Sequence, residues 1–99
     1  MLHIVNKSPS QSRTLDSCLR LAQEGSAVLL IEDGVYAATK GNAEAAALHA
    51  ACGRLQVYAL QPDCDARAVT AMLAEGITLV DYGGFVDLVA QRKTTHSWL

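Results

Sequence analysis

Three cysteines, Cys18, Cys52 and Cys64, are the residues best suited to covalent chemistry, because a thiolate is a strong nucleophile near neutral pH. No two form a C-x-x-C pair, and an odd number cannot all pair within one chain, so they read as reduced thiols. Cys18 falls in the first helical stretch, after a strand-to-helix connection of the kind where α/β proteins place sites and near a helix start that would favour a thiolate. It also lies on that helix's apolar stripe, where cysteine packs as a small hydrophobe. Cys64 follows the third strand close to a helix start; the helix dipole favours its thiolate, and Asp63 and Asp65 on either side oppose it. Cys52 sits in an alanine-rich helix and reads as structural.

The adjacent carboxylates Glu32 and Asp33 close the most apolar strand of the chain. They could form an acid/base pair or hold a metal, but at a strand-to-helix turn such a pair more commonly serves capping and the helix dipole. Asp33 or Asp81 could be cast as the phosphoacceptor of a receiver-like or flavodoxin-like binding module, although neither has a supporting acidic pair in the sequence. His3, His49 and His96 share no ligand spacing with one another or with the cysteines, so no metal is expected. The phosphate-binding, dinucleotide and nucleophile-elbow glycine motifs are absent, and no cofactor is expected.

The elements that must position these residues follow from apolar patterning. Leu2–Val5, Ala27–Ile31, Leu55–Leu60 and Ile77–Val80 are short apolar runs, and the unbroken run Ala27–Ile31 is the pattern of a strand covered on both faces. Between them lie helical stretches. The first spans Thr14, its expected N-cap, to Glu24, with Leu15, Cys18, Leu19 and Ala22 on one face and Gly25 as the stop. Val35–Ala38 begins a second helical piece, and Asn42 is expected to cap Ala43–Cys52, in which Ala45, Leu48 and Cys52 share a face before Gly53. A third helix, capped by Asp63 or Asp65, turns Ala66, Val69, Met72 and Leu73 inward and ends at Gly76. Asp81-Tyr82-Gly83-Gly84 reads as a turn, followed by a helix with Phe85, Leu88 and Val89 on its apolar stripe. Arg92 and Lys93 suit its carboxyl end, and Thr94–Leu99 suits an edge strand or an interface, since a Trp-Leu pair is poorly placed in solvent. The alternation of strand and helix implies an α/β three-layer sandwich with a mainly parallel, four- to five-stranded sheet.

The 99 residues suit one domain, spanning 1–99. A hydrophobic share of 51% beside a charged share of only 18% implies that another chain covers some apolar surface. A net charge of −2 opposes direct binding of nucleic acid. With no secretory signal pattern and no apolar run of the ~20 residues that a membrane helix needs, a cytoplasmic protein is expected.

Five blocks in order, Met1–Pro9, Leu29–Ala38, Val57–Leu60, Asp81–Leu88 and Ser97-Trp98, make the chain resemble the DsrH/TusB family from end to end. The resemblance implies a DsrEFH-like fold and a subunit that joins DsrE/TusD-like and DsrF/TusC-like paralogues in a dimer of heterotrimers. Such complexes relay persulfide sulfur, for 2-thiolation of tRNA wobble uridine or for dissimilatory sulfur oxidation. It also implies that the essential persulfide cysteine belongs to the DsrE/TusD paralogue, just after strand three; here that region reads Leu60-Gln61-Pro62-Asp63, and Cys64 falls a few positions later. Leu15-Asp16-Ser17-Cys18-Leu19 resembles DsrH members that keep a cysteine in helix one, which makes Cys18 the candidate accessory thiol. Two roles follow for the chain: a non-catalytic subunit, or a self-contained sulfurtransferase carrying persulfide on Cys18.

Overall fold

Four apolar runs become parallel strands at the centre of a computed structural model that describes residues 1–41 and 43–98. They are β1 (Leu2–Val5), β2 (Ala27–Leu30), β3 (Gln56–Leu60) and β4 (Thr78–Val80), and Thr95–Trp98 adds β5. All pairings are parallel, and the order across the sheet is β4-β3-β2-β1-β5. Every residue of β1 and β2 is buried, which is why these two runs show no polar alternation.

The two sheet faces are covered unequally. One carries α1 (Thr14–Leu21), a 3-10 helix (Glu32–Ala38), α2 (Ala43–Ala51) and α3 (Gln61–Ala66), packed on a core that includes Val5, Cys18, Val28, Leu30, Leu48 and Cys64. The other face, built on Leu2, Ile4, Ala27 and Leu29, packs against Leu88 and Phe85 of α4 (Tyr82–Gln91), which links the two edge strands β4 and β5. None of the helices is long and apolar enough to cross a membrane among the described residues.

Several boundaries differ from the sequence expectations for physical reasons. Arg13, not Thr14, occupies the N-cap position of α1, because Ser12 Oγ accepts the Thr14 N–H at 3.3 Å and starts the helix one residue early. The helix stops at Leu21, short of Gly25: the Arg54 guanidinium donates to the carbonyls of Leu19 and Ala22, supplying external partners for the last turn. On α2 the buried face is Ala45, Leu48 and Ala51, with Cys52 just beyond the helix and only partly buried. Asn42, its expected cap, lies outside the described residues, as does Leu99.

The third helix is displaced most. Pro62 sits in the first turn of α3, where its missing N–H costs nothing and its φ suits a helix start, so the helix begins directly at Gln61 instead of at Asp63 or Asp65. It ends after Ala66 in a Schellman motif: the Val69 N–H donates to Cys64 O at 3.0 Å and the Ala68 N–H to Asp65 O at 3.1 Å. Ala68 therefore adopts φ +56, a left-handed conformation that usually falls to glycine. Val69 remains buried, but Met72 and Leu73 lie in and after a separate 3-10 turn, Thr70–Met72. Ala68→Gly should relieve this strain and raise stability by about 0.5–1 kcal/mol, after allowance for the freer unfolded chain. An unchanged or lower urea midpoint would contradict that expectation.

Asp81-Tyr82-Gly83-Gly84 is not a free turn. Asp81 is the N-cap of α4, its Oδ1 accepting the Gly84 N–H at 2.8 Å, so both glycines belong to the first turn of the helix. A Cβ on Gly84 would come within 2.9 Å of Val80 Cβ, so the glycine permits close packing of helix start on strand end.

Candidate functional site

Because all strands run the same way, the carboxyl ends of β1, β2 and β3 share one rim, the position where open α/β sheets assemble their sites. The 3-10 helix leaves β2 with Glu32 at φ +49, a strained backbone for a non-glycine residue. It is held there by Asp63, whose Oδ2 accepts the Glu32 N–H at 2.7 Å. Arg67 completes the clamp. Its Nε lies 2.9 Å from Asp33 Oδ1, and its Nη1 lies 3.9 Å from Asp63 Oδ1. The hydrogen bond to Asp33 is the main influence raising the pKa of Arg67 and holding it charged.

This network fixes the role of the acidic turn: Glu32 and Asp33 tie the 3-10 helix to α3. Asp33 is committed to Arg67 and Asp81 to the α4 cap, on strands separated by β3, so the geometry does not bring them together as a phosphoacceptor pocket. Among the described residues no group of three or more His, Cys, Asp or Glu side chains could hold a metal ion. Next to the clamp a shallow cleft opens between Ser8, Gln11, Asp33, Tyr36 and Glu44, with no thiol in its lining.

The three thiols occupy three separate places. Cys18 is fully buried between α1 and the sheet, and burial pushes its pKa up to about 12. At pH 7 such a group is ionised in only about one molecule in 10⁵. Cys64 is fully buried under α3, and its pKa is pushed up to about 11 by burial first and by Asp63 and Asp65 second; Arg67 pulls the other way without reversing the result. Cys52, partly exposed, has Leu48 O at 3.2 Å and Gly76 O at 3.4 Å as acceptors for its single S–H, and burial raises its pKa too. No thiol is activated in this conformation among the described residues, and the helix-start argument for Cys64 loses to desolvation.

Two groups of polar residues escaped the sequence reading. Arg67 stands three positions after Cys64 and four after Asp63, a helical spacing that could have flagged it as their neighbour. The contact between His3 and Trp98 joins the two outermost parts of the chain and leaves no local signal.

A family profile described as DsrH like protein matches residues 7–95. Protein TusB of Pectobacterium parmentieri is 36% identical over 98 residues, covering 99% of this chain and 100% of that protein. Protein TusB of Escherichia coli (strain K12) is 38% identical over the same span, with the same coverage. The chain belongs to the DsrH/TusB family. Among solved structures, this DsrH/TusB-family chain is similar to the ychN protein from E. coli, with a TM-score of 0.79 and 18% identity over 97% of each chain. It is also similar to MTH1491 from Methanobacterium thermoautotrophicum, with a TM-score of 0.76 and 18% identity over 97% of this chain and 95% of that one. At such identities the two structures show the shared fold alone, and they bear out the three-layer α/β expectation.

Proposed function

We propose that this chain is a supporting subunit of a cytoplasmic sulfur-relay complex of the TusBCD/DsrEFH type. As one domain it joins a DsrE/TusD-like and a DsrF/TusC-like paralogue in a dimer of heterotrimers, and the DsrE/TusD-like subunit carries the persulfide. Family membership supports the relay assignment. The relatives named TusB favour 2-thiolation of tRNA wobble uridine as the process served, over dissimilatory sulfur oxidation.

The observation that carries the supporting role is a contrast. The thiols are buried or part-buried and protonated, whereas α4 turns Tyr82, Val86 and Val89 outward, 61%, 66% and 42% exposed. With Phe85 and Ala90 these side chains line an apolar groove, which suits a partner's apolar surface better than water. Co-expression with the two paralogues should yield one co-purifying hexamer; a chain that elutes alone while the paralogues associate without it would refute the proposal.

Cys18 is the position at which an accessory sulfur acceptor is to be sought. Acceptance would be attack of its thiolate on the outer sulfur of a partner's persulfide, forming the new persulfide and releasing the partner's thiolate. With the thiol buried, that step requires α1 to lift from the sheet. The native chain treated with a persulfide donor should therefore gain no added sulfur (about 32 Da) at Cys18, whereas the urea-unfolded chain should. Loading of the native chain that disappears in Cys18→Ser would instead establish Cys18 as a carrier.

A further inference from the structure

His3 is a buried polar residue in the middle of an apolar strand, and the relay reading gives it no task. It lies beside His96 of β5 in the parallel register, with ring centroids 6.1 Å apart. The indole Nε1 of Trp98 lies 3.0 Å from His3 Nδ1, and the Trp98 ring sits 4.5 Å from that of His96. An indole N–H can only donate, so Nδ1 of His3 must be the accepting, unprotonated nitrogen and its proton must reside on Nε2.

We infer that the Trp98–His3 hydrogen bond is a proton-sensitive latch that holds the edge strand β5 on β1 and opens when His3 takes up a second proton. Protonation would place two donors face to face at 3.0 Å and add a positive charge in a buried position beside His96. The rest of β5 offers little resistance. Thr95, His96 and Ser97 are exposed, the outer edge of the strand is unpaired in the sheet, and Trp98 alone of the four packs against the core.

The electrostatic surroundings act in one direction. Burial lowers the pKa of His3 below 6.5, and His96 and the amino terminus lower it further. Opposite His3, β2 offers the apolar Val28. From α1, packed against β1 and β5, the inward residues are Leu15, Cys18 and Leu19, of which only Cys18 titrates, and it is uncharged. With no carboxylate among these groups to favour the imidazolium, the unfolded or released state takes up the proton at higher pH than the latched state. The latch's contribution is therefore complete above pH 6.5 and is lost as the pH falls from 6.5 through the folded-state value.

Trp98 is the single tryptophan of the chain, so its emission reports the surroundings of β5 without interference from another indole. The wavelength is the quantity to follow, since a protonated imidazole can quench intensity without any movement. On acidification the emission of the native chain should shift to the red with a midpoint below pH 6.5, while far-UV ellipticity is retained. His3→Asn, whose amide oxygen can accept the indole proton but cannot titrate, should abolish the shift; His96→Gln should keep it and move the midpoint upward. Trp98→Phe gives an independent route: at about pH 7.5 the β5 amides should lose the protection from exchange that the wild type shows at that pH. The latch is overturned by an emission that stays constant to pH 4.5, by loss of ellipticity in step with the shift, by an unchanged titration in His3→Asn, or by β5 amides of Trp98→Phe that stay as protected as those of the wild type.

Discussion

Gly34→Ala is expected to lower stability by about 3 kcal/mol, the upper part of the range for overpacking a close-packed interior. Gly34 is the third residue of the 3-10 helix and is buried. A Cβ there would overlap the carbonyl oxygen of Val5 and come within 3.1 Å of Val5 C, and both atoms are backbone, so no side-chain rotation relieves the clash. Val5 O also accepts the Ile31 N–H at 3.0 Å, and the Gly34 N–H donates to Ile31 O at 2.8 Å. Moving the 3-10 helix outward would therefore strain the bonds that join β1 to the end of β2, together with the Asp33–Arg67 clamp. Urea unfolding gives the measurement, with Gly53→Ala as the control: a Cβ at Gly53 meets nothing closer than 3.9 Å and should change little. A loss below about 1 kcal/mol for Gly34→Ala would mean that the 3-10 helix has room to shift.

Val86→Asp should abolish assembly with the paralogues while leaving the isolated chain within about 0.5 kcal/mol of wild type. The side chain is 66% exposed, so a carboxylate there remains hydrated in the free subunit. In a dry apolar contact the same charge would be unpaired, at an effective penalty of several kcal/mol, which at micromolar concentrations is enough to dissociate a typical complex. Arg20→Gln, at an exposed position of α1 on the opposite face of the sheet, should assemble normally. If Val86→Asp co-purifies with its paralogues as well as wild type does, the outer face of α4 is not the contact.

The parallel sheet was legible because its evidence is local. The unbroken apolar run that becomes β2 has the pattern of a strand covered on both sides, and the inward set Leu15, Cys18, Leu19 and Ala22 follows directly from helical spacing. What was illegible depended on partners distant in the chain. Arg54 ends α1 from across a turn, and His3 meets Trp98 only because β5 returns to the opposite edge of the sheet. Two differences are local competitions decided the other way: Asp63 and Asp65 suit a helix cap, yet the fixed φ of Pro62 opens α3 ahead of them, and Gly83-Gly84 suit a turn, yet the Asp81 cap draws them into α4. For the thiols, sequence placed each near or on a helix, but only packing shows how completely water is excluded from Cys18 and Cys64.

The strand order also sets a timetable. From β1 to β4 each strand lies beside its neighbour in sequence, so those four can zip together through short crossovers of low loop-closure cost. β5 breaks the series: Leu2 pairs with Thr95, almost the full length of the chain away, after α4 has crossed from one edge of the sheet to the other. Its docking belongs to the end of folding, and mutations in β5 should accelerate unfolding while leaving the folding rate nearly unchanged. A newly made chain would thus expose the outer edge of β1 until β5 arrives.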